Sequence, residues 1–365
     1  MAGVYAEFGN YSQASEAREE AIGFLERLIE EFPEEPSYRS ELADCWTWVC
    51  WRPERQDIEG CTKALLILEE LVADFPAVPE YVQQLANTHT SLAYGLSGID
   101  ELEEAEAHCR ESLVILEKLY ADFPDVPKDS YFPDSHFQLG RLLLKTGELE
   151  EAEEHLRQSL ELREQLLAEK PESAGWRGLL ARVKHEIGNL LARQGKVEEA
   201  AKEYREAIAL YEKVVEQYPS WAESRRQLGH FLLSLSALLR DRGRVQEAED
   251  TLREAVFHWE KLATEHPDVS HYLVYWAASL VLLGETLSRT NQLEEALESY
   301  QKAVIVNESL VADYPDVAEY RENLAQIYRG LGGVLEKMGR VDEAKETYRE
   351  AEEIENEQMA EKTED

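Results

Sequence analysis

Cysteine is scarce in this chain, and the few present are bunched: Cys45, Cys50, Cys61 and Cys109 all lie in the first third. None forms a C-x-x-C pair, so the spacing of a zinc ribbon or a thioredoxin-like centre is missing. A chain of 365 residues has enough core to dispense with a disulfide framework, which predicts buried thiols in a reducing cytoplasm. Basic residues are outnumbered, 38 Lys and Arg against 75 Asp and Glu, for a formal net charge of −37. That field repels nucleic acid and anionic lipid at long range, and neither is expected as a partner. No run of about 18 apolar residues and no basic-then-apolar leader occurs, so the sequence reads as soluble, without a membrane segment. Glycine (19) and proline (12) are sparse, and Ala, Leu and Glu dominate. This is the profile of many surface-exposed helices, not of a β-rich or disordered chain.

The few prolines are placed regularly. Pro33, Pro76, Pro124, Pro171, Pro219, Pro267 and Pro315 mark out an even ruler. Its period is about 48 residues, within the range of tandem structural repeats, and only the first interval is clearly shorter. The surrounding text agrees: LVADFPAVPEY begins at Leu71, LYADFPDVPK at Leu119, VVEQYPSWAE at Val214 and LVADYPDVAEY at Leu310. A second turn falls midway along the period, at Gly9, Asp100, Gly147, Gly195, Gly243 and Asn291. Between the turns, apolar residues recur at helical spacing, Leu156 four before Leu160 and Leu162 four before Leu166, with Leu167 beside it, the spacing of a helix face. Glycine after the first segment suits a left-handed helix cap, and proline after the second cannot continue a helix. Each period is therefore an antiparallel helix pair. A pair cannot bury its apolar face alone, so neighbours must stack.

These residues resemble the tetratricopeptide repeat. KHEIGNLLARQGKVEEAAKEYREAIALY, from Lys184 to Tyr211, carries Gly188 in a first helix, Gly195 at the turn, and Ala200, Tyr204 and Ala207 in a second. The same offsets give Gly140, Gly147, Ala152 and Leu156; then Gly284, Ala296, Tyr300 and Ala303; then Gly332, Gly339, Ala344, Tyr348 and Ala351. Short side chains at these places let helices approach closely. The departure is the period, about 48 residues in place of the family's usual 34, so each helix gains about two turns. The chain is most similar to long-helix arrays of bacterial proteins, including arrays fused to serine/threonine kinases. The resemblance implies an all-α, right-handed solenoid of helix hairpins over residues 1–365, with a partial repeat at 1–33. Repeats follow at 34–76, 77–124, 125–171, 172–219, 220–267 and 268–315, and the last repeat with a polar C-terminal cap at 316–365.

Two irregularities stand out. The first full period is five residues short around Cys45, Trp46, Trp48, Cys50 and Trp51, which Pro53 ends, with Arg52 and Asp57 where glycine and alanine are expected. The tryptophans are expected to fill space beside a shortened helix. The chain also begins inside a repeat, AGVYAEFGNYSQASEA from Ala2 matching GGVLEKMGRVDEAKET from Gly332, as though cut from a longer protein.

No catalytic constellation emerges. The nine histidines include no pair four apart on a helix, glycine-rich phosphate loops are missing, and acidic pairs such as Glu150–Glu151 open second helices, where they favour the helix dipole. No metal or cofactor is called for. In the resembled family the first helix of each pair lines the concave groove. Charge divides along that line: Glu148–Glu169 holds eight acids and two bases, whereas Glu172–Gln194 holds four bases and two acids. The family's groove offsets select Asn87, Thr90 and Tyr94, then Phe137, Arg141 and Lys145, then Arg182, His185, Asn189 and Arg193. In later repeats they select His230, Leu233 and Arg240, then Glu285 and Arg289, then Gln326, Arg329 and Lys337. A mildly basic strip suits an acidic, carboxylate-bearing peptide, because arginine forks pair with carboxylates. A chaperone-tail receptor is excluded, since His185 stands where that clamp needs lysine and Ala237 where it needs asparagine. The expected function is a non-catalytic scaffold for a protein or peptide. The alternatives are a regulatory region of a larger enzyme, such as a kinase, and a self-associating array.

Overall fold

The computed structural model describes residues 11–49, 58–128 and 131–364. Among them there are fifteen α-helices and no strand. A leading helix, α1 (Tyr11–Glu31), precedes seven hairpins. These are α2 (Pro36–Val49) with α3 (Ile58–Asp74), α4 (Pro79–Gly98) with α5 (Leu102–Asp122), α6 (Tyr131–Thr146) with α7 (Leu149–Glu169), and α8 (Ala174–Arg193) with α9 (Val197–Gln217). The rest are α10 (Ala222–Asp241) with α11 (Val245–Glu265), α12 (Ser270–Arg289) with α13 (Leu293–Asp313), and α14 (Ala318–Lys337) with α15 (Val341–Glu364). The helices fall into two compact units, Met1–Glu203 and Tyr204–Asp365. Within each, helices pack on their sequence neighbours, and first helices also touch first helices: α2 on α4, α4 on α6 and α6 on α8 in one unit, α12 on α14 in the other. This is the all-α solenoid arrangement of stacked hairpins.

The turns follow the punctuation of the sequence. Each second helix from α1 to α13 stops two residues before its proline, because the residue ahead of proline avoids the helical region. The aromatic residue before the proline then folds back on a ring six positions later, Phe75 on Tyr81 at 6.1 Å and Tyr314 on Tyr320 at 6.0 Å, both edge-on. At the other turn, Gly147, Gly195, Gly243 and Gly339 have φ of +97°, +75°, +72° and +77°, and Asp100 and Asn291 take the same left-handed conformation at +68° and +63°. At Gly243 a methyl group would meet nothing within 4 Å. Glycine is wanted there for its backbone alone. The helical glycines answer a different need: a methyl on Gly284 would lie 2.8 Å from Cδ2 of Tyr300, and one on Gly332 would lie 2.6 Å from Cε1 of Tyr348.

One expectation fails. Cys45 and Cys109 are free thiols, and burial pushes the Cys109 thiol up to about 12, but Cys61 is disulfide-bonded. Nearness in space, which sequence spacing does not reveal, decides such a bond. Cys50, Trp51, Arg52, Pro53 and Asp57, like Gly9 and the rest of residues 2–10, lie outside the described residues. Trp46 and Trp48 are half-buried, each under a cation: Lys63 Nζ is 4.8 Å from the Trp46 ring and the Arg18 guanidinium 4.3 Å from that of Trp48.

Candidate peptide-binding face

The first helices of Met1–Glu203 bring several of the selected residues together around one ring. Phe137 on α6 is 3% exposed, so it is a platform and not a contact surface. Arg141, Arg163 and Arg182 hold their guanidinium carbons 5.5, 5.4 and 5.2 Å from its centroid. Arg163, on α7, is buried and paired with Asp134, and burial draws its pKa down. Arg141 pairs with Glu186 at 3.5 Å and donates to Gln138 at 3.1 Å, and Asn189 donates to the same Glu186 at 2.9 Å. Arg182 is half-buried and, among the described residues, has no acidic partner. Asn87 and Tyr94 are half-buried on α4, whereas Thr90 is buried and turned inward, sharing hydrogen bonds with Ser112 and Ser135 at 2.9 Å. That hydroxyl cluster lets α4, α5 and α6 pack closely without orphaned polar atoms. His185 is pushed down to about 4 by burial, which leaves it neutral and without charge for a carboxylate.

The bases in the last turns have a second role. Lys145 donates to the Ser97 carbonyl at 3.1 Å and pairs with Asp100 at 2.8 Å; Arg193 donates to the Leu144 carbonyl; Lys337 donates to Ser288 Oγ at 2.8 Å. Each reaches back to the carbonyl end of the preceding first helix, where the dipole favours a cation. In Tyr204–Asp365, Arg240 pairs with Glu285, a residue also selected for the groove, and Arg329 forms a two-pronged pair with Glu355 at 2.9 and 2.6 Å. His230 is packed edge-on against Trp259 at 4.9 Å and Tyr275 at 4.5 Å. Arg289 and Gln326 are exposed, and Leu233 is half-buried. Much of the expected basic strip is thus already engaged within the protein, a pairing that helix register alone cannot show.

Sequence reading missed two histidine pairs. His89 and His108 place their Nδ1 atoms 2.9 Å apart, and His136 and His155 do the same one hairpin later. One nitrogen must donate and the other accept, so at least the accepting ring of each pair is neutral. Burial, with the partner imidazole, pushes His89 and His136 down to about 4. The signal was present: both pairs have the same separation along the chain and span the two arms of successive hairpins. Among the described residues no group of three His, Cys, Asp or Glu is placed to hold a metal ion.

Family models described as tetratricopeptide repeat match residues 133–166 and 181–220, 229–254, 276–313 and 325–358. The chain belongs to the tetratricopeptide-repeat superfamily. Its hairpins are those of a protein-interaction scaffold, the role its superfamily generally serves. Among solved structures, BtubC (BKLC) from P. vanneervenii is similar with a TM-score of 0.53 at 16% identity, over 70% of this chain and 91% of that one. RapI in its apo form gives 0.49 at 16% identity over 86% and 97%. A thermophilic TPR protein of Thermus thermophilus gives 0.38 at 22% over 63% and 94%. At these identities the likeness concerns the fold alone. No curated protein matches the chain. Among the described residues no helix is long and apolar enough to cross a membrane.

Proposed function

We propose that this repeat array is a non-catalytic scaffold that docks an acidic segment of a partner protein on the first helices of residues 131–193. The observation that carries the reading is Arg182: a half-buried guanidinium braced on the Phe137 ring, beside Arg163, and without a carboxylate of its own among the described residues. An incoming carboxylate finds a donor fork already held in place, which lowers the entropic cost of binding. Arg141 and Asn189 share Glu186 alongside it and can release donors to a ligand that brings a carboxylate of its own. Arg193, Lys145 and Arg240, engaged within the fold, contribute to stability and not to capture. The same reading keeps the chain in the cytoplasm, on the free thiols of Cys45 and Cys109. The bridge at Cys61 argues against it, and counting thiols in protein isolated from its host decides the matter.

The test is fluorescence anisotropy with a labelled glutamate-rich decapeptide and its glutamine counterpart. The whole chain is strongly acidic, so added salt screens repulsion as well as the contact, and the variants decide more sharply than ionic strength. Arg182→Ser with Arg141→Ser should weaken the glutamate peptide at least about tenfold, a loss of roughly 1.5–3 kcal/mol for charge-assisted bonds. Equal binding of the two peptides, or no effect of the substitutions, would overturn the reading.

A further inference from the structure

The repeat register exposes a gap in the packing of Tyr204–Asp365. At one position of the second helices, residues one period apart are Tyr211, Trp259 and Asn307. Tyr211 and Trp259 are 7% and 0% exposed, and Tyr211 meets Phe231 of α10 edge-on at 5.2 Å. Trp259 does so in company: Tyr275 stacks on it at 4.7 Å, His230 meets both rings edge-on, and Gly229 gives it room, since a methyl there would lie 2.6 Å from its Cε2. One repeat later, all four positions change together. Trp259, Tyr275, His230 and Gly229 become Asn307, Asn323, Ala278 and Ala277. Three aromatic rings are gone, and the four replacements line a cavity of about 240 Å³ between α12, α13 and α14, walled otherwise by aliphatic side chains such as Val281 and Ile327. Asn307 lies at its buried floor, 2% exposed, and its Oδ1 has no hydrogen-bond partner. Asn323 is half-buried and Gln326 is exposed at the rim.

A buried acceptor left unmatched destabilises the site that holds it, and an aliphatic hollow of this size beneath a first-helix face is a ligand's shape. We infer that this cavity receives a tyrosine side chain from a bound polypeptide, its ring taking the place of the missing aromatic cluster and its hydroxyl donating to Asn307 Oδ1. The chemistry narrows the occupant. The unmatched atom is at the floor, so the donor must sit at the far tip of an otherwise apolar ring. Phenylalanine has no donor, and the indole N–H of tryptophan lies on the flank of its ring. A phenol hydroxyl both donates and accepts, so a carboxamide can satisfy it from either end. The inference rests on the scaffold reading only in taking its ligand from a protein, since the cavity is remote in sequence from Arg141 and Arg182.

The test uses the full chain and small probes. Ligand-observed NMR titration should show saturable binding of N-acetyl-L-tyrosinamide, at least about fivefold tighter than N-acetyl-L-phenylalaninamide, the factor expected for one buried hydrogen bond. Filling the cavity with Ala277→Gly plus Asn307→Trp, which copies the Gly229–Trp259 pair, should abolish binding while the melting temperature holds or rises. Asn307→Leu keeps the size, removes the acceptor, and should make the two probes bind alike, a readout that stands even if the double variant folds poorly. No saturation of the unaltered chain, a tyrosine preference that survives Asn307→Leu, or tryptophanamide binding as tightly as tyrosinamide would overturn the proposal. Arg141→Ser with Arg182→Ser should leave this titration unchanged, so failure here and failure of the acidic-segment reading are told apart.

Discussion

His89 and His136 each sit in a site that accepts only the neutral ring. Their pKa values, pushed down to about 4 from an ordinary 6.5, mean that the unfolded chain binds protons there before the folded one does. Stability from these sites is therefore complete above about pH 6.5 and drains away as the pH falls toward 4. Chemical denaturation at pH 7.5 and pH 5 should differ by about 2 kcal/mol for each pair, and His89→Asn with His136→Asn should flatten most of that slope. A midpoint as steep in the double variant as in the parent would locate the dependence elsewhere. At this scale the sequence was least legible. The histidines looked scattered because the two members of each pair come from different helices. Phe137 was chosen for a groove yet is buried, because its helical offset says which way it points but not what covers it. Arg182 was chosen by the same offset, and only its neighbours single it out from Arg193.

Helix ends were the most legible feature of the chain. Proline two residues beyond every second helix but the last and a left-handed residue beyond most first helices are chemical necessities written in single letters, and even Asp100 and Asn291 were placed by register where glycine was lost. The last-turn bases were not legible in the same way. Lys145, Arg193 and Lys337 read as groove cations, but a flexible side chain at a helix end has a carbonyl fringe within reach as well as solvent, and the carbonyls win. Arg193→Met should accordingly cost about 1 kcal/mol of stability, with faster amide exchange at the Thr146–Gly147 end of α6, and should leave the glutamate peptide's affinity unaltered. A loss of affinity with no change in exchange would return Arg193 to the binding face. The gap at Asn307 lies between these cases: the register of the four substitutions is visible in the letters, but only packing shows that they meet.

Across the whole chain, 75 acids against 38 bases leave about half the carboxylates without any basic partner even if every cation were paired. Exposed pairs such as Arg349–Glu346 at 3.1 Å add little, so self-repulsion outweighs them. Raising sodium chloride from about 0.02 to 0.3 M, where the screening length falls below about 10 Å, should raise the melting temperature. A falling temperature would mean that ion pairs dominate after all. The last-turn clamps carry a further consequence for how such a chain can change length. One residue added within a first helix would swing its terminal base by about 100° around the axis and tear it from the carbonyls behind. Growth and shrinkage by single codons are thereby penalised inside the helices, and lineages carrying this architecture are left to duplicate or discard entire hairpins.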